Sequence, residues 1–163
     1  MREAIAAHLR AHNVARIIYG AIIGLALVLA LELHPPASGA VVATLLGTAL
    51  AVALAEVYSD VIGTEVRTRR RISREHLSEL LADAGAVAFG ISFPAVFFLL
   101  AAVGAFEVER AFTLAKWTGL FLIGFYGFCA ARLAGATVAR ALFQAVAVGL
   151  IGGFVIALKA LAH

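Results

Sequence analysis

Apolar positions in this chain run in long unbroken blocks separated by short polar segments. The first block extends from Ile17 to Leu31, between Arg16 and Glu32, and from Pro35 to Ala55 there is no charge at all. Asp83 and Glu107 bracket a third block from Ala84 to Phe106, a fourth runs from Ala111 to Ala131 with only Lys116 near its start, and Arg140 and Lys159 bracket a fifth. A helix crossing a bilayer needs about 20 apolar residues, with a range of about 17–25. The pattern predicts an all-α membrane protein, a bundle of five transmembrane helices over 15–33, 38–62, 84–106, 111–131 and 140–160, forming one domain over 1–163. No block alternates with the period of a strand. Helices also satisfy their backbone polar groups within the segment, as lipid requires.

The connections agree with this division. His34-Pro35-Pro36-Ala37-Ser38 reads as a tight turn, because proline cannot continue a helix interior and restricts the residue before it. Glu107 to Arg110 and Arg132 to Arg140 are short as well. Only one connection is long and polar, and it predicts a cytoplasmic helical extension over 63–83 with Ser73 as N-cap. The first block reads as a retained helix and not a cleaved signal, since the proline turn leads straight into further apolar sequence without a small-x-small cleavage site.

Composition reinforces the pattern. Hydrophobic residues make up 63% of the 163 positions and charged residues 14%, against about 45–50% and about 25% in soluble domains. So few charges cannot clothe a water-exposed surface of this size, which makes the lipid bilayer the expected partner. The distribution of basic residues gives the orientation. Arg2, Arg10 and Arg16, then Arg67, Arg69, Arg70, Arg71 and Arg74, then Arg132 and Arg140 place ten on one side, against Arg110, Lys116 and Lys159 on the other. The N-terminus is therefore expected inside and the C-terminus outside. This placement at helix ends accounts for the net charge of +3 without nucleic acid. Cys129 is the one cysteine, so no internal disulfide forms. Tyr19 and Tyr58 near one face and Trp117 near the other suit interfacial belts. Gly20 and Gly24 form a GxxxG, and Gly39, Ala43, Gly47, Ala51 and Ala55 form a small-residue stripe, a pattern that brings helix backbones together. The stripe predicts a homo-oligomer, a dimer foremost. Short turns and Ala/Gly-rich helices suggest a multi-pass protein of the bacterial inner membrane.

Ionisable groups inside a span are costly and mark functional sites by default. Glu56 lies toward the inner end of the second block, with Asp60 one turn later on the same face and Tyr58 and Ser59 beside them. Carboxylates at i,i+4 suit a divalent cation or a proton relay. They equally suit ion pairing of Glu56 with Arg16, Arg132 or Arg140. Glu32 lies at the opposite face, about 25 Å away in depth at 1.5 Å per residue, as a mouth of the pathway or an interfacial helix end. His76, Glu79 and Asp83 share one face of the expected extension, a spacing that suits a metal or an ordinary amphipathic helix. There is no nucleophile motif, no P-loop, no cysteine cluster and no His-Glu-x-x-His, so nothing points to an enzyme.

Two segments carry a family likeness. Leu50-Ala-Val-Ala-Leu-Ala-Glu-Val-Tyr-Ser59 is similar to a small-residue run ending in Gly-Glu-Tyr, with Glu56 on the motif glutamate and the tyrosine displaced by one position. Arg16-Ile-Ile-Tyr-Gly-Ala-Ile-Ile-Gly24 is similar to a first-helix segment reading Phe-Gly-x-x-Asp-Gly. In these, and in Phe93-Pro94 and the segment from Ala141 to Leu161, the chain resembles the vacuolar iron transporter family in a reduced form. The resemblance implies five spans and transport of Fe²⁺ or Mn²⁺ out of the cytoplasm against protons, with Glu56 and Asp60 as metal ligands and Tyr58 and Glu32 along the pathway. The chain departs from the family where the aspartate before the second glycine is Ile23, and where the glutamate-rich cytoplasmic domain shrinks to about twenty residues. The metal would be cargo, and no resident cofactor is expected. Beside cation transport stand two other readings: a non-transporting scaffold or regulatory partner with a transporter-like fold, and a pore lined by Thr44, Thr48 and Thr118.

Overall fold

The computed structural model describes the backbone of residues 11–161 and the side chains of residues 13–147, 149, 150 and 154. Among them the chain is helical without strands. The helices are α1 (Ala11–Leu31), α2 (Ser38–Thr68), α3 (Arg74–Ser92), α4 (Ala95–Ala102), α5 (Val108–Leu133) and α6 (Val138–Leu161). Three of them, α1, α2 and α5, are each long and apolar enough to cross a membrane, and α3 with α4 forms a bent pair that brings the number to as many as four. In α6 the described apolar stretch is Val138–Ala147. The side chains of the later half of the expected fifth span, and residues Arg2 and Arg10, lie outside the described residues.

One element differs from the sequence reading, for a local reason. Instead of one helix over 84–106, the chain bends by 49° between α3 and α4. Pro94 has no N–H to give to the carbonyl of Gly90, and its ring crowds that carbonyl, which kinks a helix. Within the expected helical extension over 63–83, α2 continues to Thr68 and α3 begins at Arg74, so the polar segment is the tip of a helical hairpin. Arg69 closes α2 in the left-handed region (φ 52°), its N–H donating to the Glu65 carbonyl at 2.8 Å. Ser73 then caps α3 as expected, its hydroxyl oxygen accepting from the His76 N–H at 3.2 Å. The Glu65 carboxylate accepts from the Ile72 N–H at 3.2 Å and ties the tip across.

Helix α1 is the central element. It packs on α3 along one side and on α5 along the other, while α2 covers α3 and α4, and α6 lies against α5. The α1–α3 approach is backbone to backbone. A Cβ added at Gly20 would collide with the Val87 carbonyl, one at Gly24 would lie 2.9 Å from the Ile91 carbonyl oxygen, and one at Gly90 would lie 2.5 Å from that of Ile17. Small residues allow this proximity, and dispersion between the backbones stabilises it.

Above and below the crossing the core is aliphatic and aromatic. Toward the Glu32 end, Val28, Val41, Leu45, Phe98, Phe112 and Ala115 are buried together, with the Phe98 and Phe112 rings edge to face at 4.8 Å. Toward the Arg16 end, Val14, Ile17, Ala86 and Tyr126 pack together. Helix α2 is the least enclosed span: 22% of its apolar stretch is buried, against 44% for α1.

Gly90→Ala forces the backbones of α1 and α3 apart and should lower stability by about 1–3 kcal/mol. Gly85→Ala, where an added methyl meets nothing within 4 Å, should be neutral or stabilising by up to about 1 kcal/mol. Thermal unfolding of both variants in detergent checks the contrast; equal effects would contradict the crossing.

Candidate functional site

The close approach of α1 to α3 determines where Arg16 lies. One turn before Gly20, its guanidinium emerges between α2 and α3 and meets carboxylates from both. Nη1 donates to Glu56 Oε1 at 2.9 Å, and Nη2 lies 3.5 Å from Asp60 Oδ2 and 4.0 Å from Asp83 Oδ2. Glu56 and Asp60 are one turn apart on α2, as i,i+4 spacing requires. Three carboxylates thus face the Arg16 guanidinium. The Glu56 side chain is mostly enclosed, and its second oxygen, Oε2, is buried without a hydrogen-bond partner. A buried acceptor left unpaired costs about 1–3 kcal/mol, so the carboxylate retains capacity for a further donor or cation.

Arg16, Asp60 and Asp83 of this group line an open cleft of about 850 Å³ between the ends of α1, α2 and α3, whereas Glu56 is not among its lining residues. Asp60, Thr64 and Arg67 line it from α2 at i,i+4,i+7 spacing, with Ser59 and Gly63 beside them, and His76, Glu79 and Asp83 line it from α3. The sequence reading thus found most of the acidic lining but grouped it differently. His76 Nδ1 and Glu79 Oε2 pair at 3.2 Å, whereas Asp83 turns to Arg16. Among the described residues no three His, Cys, Asp or Glu side chains gather closely enough to hold a metal ion. Of the three arginines considered for Glu56, the structure selects Arg16; Arg132 instead donates to the Ala136 carbonyl at 2.7 Å. Tyr58 lies on the outer surface of α2, strongly exposed and away from this cleft. Asn13, Thr64 and Arg67 were missed, although the period of α2 through Asp60 pointed to the last two.

Glu32 stands at the other end of α1, where the Lys116 ammonium on α5 donates to Glu32 Oε1 at 2.6 Å. Each end of α1 is therefore joined to a neighbouring helix by an ion pair of which about three quarters is shielded from solvent. The exposed rings of Tyr19 and Tyr58 and of Trp117 lie near the two ends. Two of the hydroxyls considered as pore lining serve their own helices: Thr44 donates to the Ala40 carbonyl and Thr118 to that of Leu114, a local satisfaction usual for threonine in apolar helices.

Comparison with protein-family models, with curated proteins and with solved structures finds no match for this chain. Among the described residues, fold and site define an all-helical protein with three to four helices able to span a membrane and an acidic cleft beside Arg16 at one end of them.

Arg16→Met leaves three carboxylates without their shared cation and should destabilise by about 2–4 kcal/mol. Glu56→Gln should cost about 1–2 kcal/mol, because an amide still accepts from Arg16, and Asp60→Asn less than about 1 kcal/mol given its exposure. Chemical unfolding of the three variants tests this order; a mild Arg16→Met would remove Arg16 from the centre of the site.

Proposed function

We propose that the protein is a multi-pass membrane protein of five spans, N-terminus in the cytoplasm, that transports a small divalent cation through the cleft at the Arg16 end. The observation that carries this reading is the gathering of carboxylates at one end of the bundle: Glu56, Asp60 and Asp83 all lie within 4.0 Å of the Arg16 guanidinium. Carboxylates gathered in a partly enclosed site concentrate cations, and ionisable groups at membrane depth mark transport pathways. The unpartnered Oε2 of Glu56 offers the first ligand atom. Arg16 then acts as a resident counter-ion that swings away as the cation arrives and returns when it leaves, so the carboxylates never stand together without compensation. Fe²⁺ and Mn²⁺ are the substrates suggested by the likeness of the Glu56 and Gly20–Gly24 segments to vacuolar iron transporters. Protons exchanging on the same carboxylates would supply the driving force.

The positive-inside distribution supports the orientation, and the apolar composition of the segment from Ala141 to Leu161 supports a fifth span. A bacterial inner membrane is the setting we infer. The stripe of Gly39, Ala43, Gly47, Ala51 and Ala55 is exposed along α2, and nothing in the chain lies within 4 Å of a Cβ added at Gly39 or Gly47. A second copy packing there makes a homodimer. Gly47→Leu should then convert dimer to monomer, read as a halved protein mass in light scattering of the detergent complex.

The second reading, a non-transporting scaffold, draws on the direct Arg16–Glu56 contact of 2.9 Å, in which the acid is already neutralised. Reconstitution into liposomes holding a metal-quenched dye separates the two. Transport predicts quenching by Fe²⁺ or Mn²⁺ added outside that slows at least about tenfold in Glu56→Gln, the equivalent of one charge-assisted contact. Folded wild-type protein that passes no divalent ion leaves the scaffold standing.

A further inference from the structure

The arginines at the hairpin tip take no part in the cleft chemistry, apart from Arg67 at its rim. Arg67, Arg69, Arg70, Arg71 and Arg74 fall within eight positions around the turn from α2 to α3, and all are exposed. Among the described residues none of these guanidiniums lies within ion-pair distance of a carboxylate. The nearest preceding acid, Glu65, is committed to the Ile72 N–H. Five like charges around one turn repel one another unless an external anion compensates them.

The apolar surface of α2 indicates which anion lies within reach. Leu46, Leu50, Leu54, Tyr58, Ile62 and Val66 recur at every fourth position and wind along the outside of the helix, each between 43% and 73% exposed. With the hydrocarbon over the apolar span 38–62, Ile62 stands at its inner edge, and Arg67, five residues or about 8 Å further on, stands at the level of the headgroups. The whole of α2, 31 residues, is about 46 Å long and spans a bilayer with its headgroups, about 40–45 Å. A soluble acidic protein would need the tip to stand clear of the headgroups, which an apolar residue as exposed as Val66 at its base opposes.

We propose that the arginine tip of the α2–α3 hairpin is a binding surface for anionic phospholipid headgroups of the cytoplasmic leaflet, with Arg70 and Arg71 at the apex as its main contacts. The proposal rests on the membrane reading above but not on transport. Guanidinium pairs with phosphate oxygens in fork geometry, and each basic residue near an anionic surface strengthens association about fivefold.

The test uses the full chain in phosphatidylcholine nanodiscs carrying spin-labelled phosphatidylglycerol or spin-labelled phosphatidylcholine. The preference for phosphatidylglycerol should fall about fivefold or more in R70Q/R71Q, persist in R70K/R71K, and fade in 1 M salt. A motionally restricted phosphatidylcholine component in every variant shows the helices in the bilayer, so loss of selectivity is distinct from failure to insert. Equal preference in wild type and R70Q/R71Q, or no preference in wild type, overturns the proposal. So does a polyglutamate peptide that binds phosphatidylcholine discs through Arg70 and Arg71 while lipid selectivity stays unaffected, since that assigns the tip to a soluble acidic partner.

Discussion

The contact on which the rest of this bundle depends has no side chains in it. Gly20 and Gly24 on α1 lie against Gly90 and its neighbours on α3 at backbone distance. Any Cβ there would push the two helices apart by a sizeable fraction of a typical 8–10 Å interaxial separation. Because the crossing is so close, the residue one turn before it, Arg16, projects into the space between α2 and α3 instead of over their surface. The ion-pair geometry at the cleft follows from a packing constraint several residues away.

The same crossing relates the two ends of α1. Arg16 at one end reaches α2 and α3, and Glu32 just beyond the other reaches Lys116 on α5. Between them the buried face is Ile17, Ala21, Leu25, Val28 and Leu29, an apolar stripe at helical spacing. A helix held by charge at both ends and by small residues in the middle has few directional bonds along its length. The 49° bend at Phe93–Pro94 adds a point where α3 and α4 need not move as one.

The cleft itself shows how a charge cluster and a metal site differ. Glu56, Asp60 and Asp83 supply the oxygen atoms that a hard cation needs, yet in this conformation they surround a guanidinium and are held apart by it.

Much of this was legible from residue order alone. Apolar blocks of about 20 residues predicted helices where α1, α2 and α5 lie, because length and hydropathy are local properties that the tertiary structure does not alter. The i,i+4 relation of Glu56 to Asp60 and the cap at Ser73 were legible for the same reason. The bend needed only Pro94, whose effect on a helix is local, yet its angle depends on what α4 packs against. What the sequence could not decide was partnership. Glu56 had three arginines at a similar depth, and Asp83 shared a face with Glu79 and His76 as well as standing near Arg16; helical periodicity says which side a residue takes, not which neighbour waits there. That choice belongs to the Gly20–Gly90 crossing, a contact between segments about seventy residues apart, and it turned a run of acids suited to a metal into a group organised around one arginine.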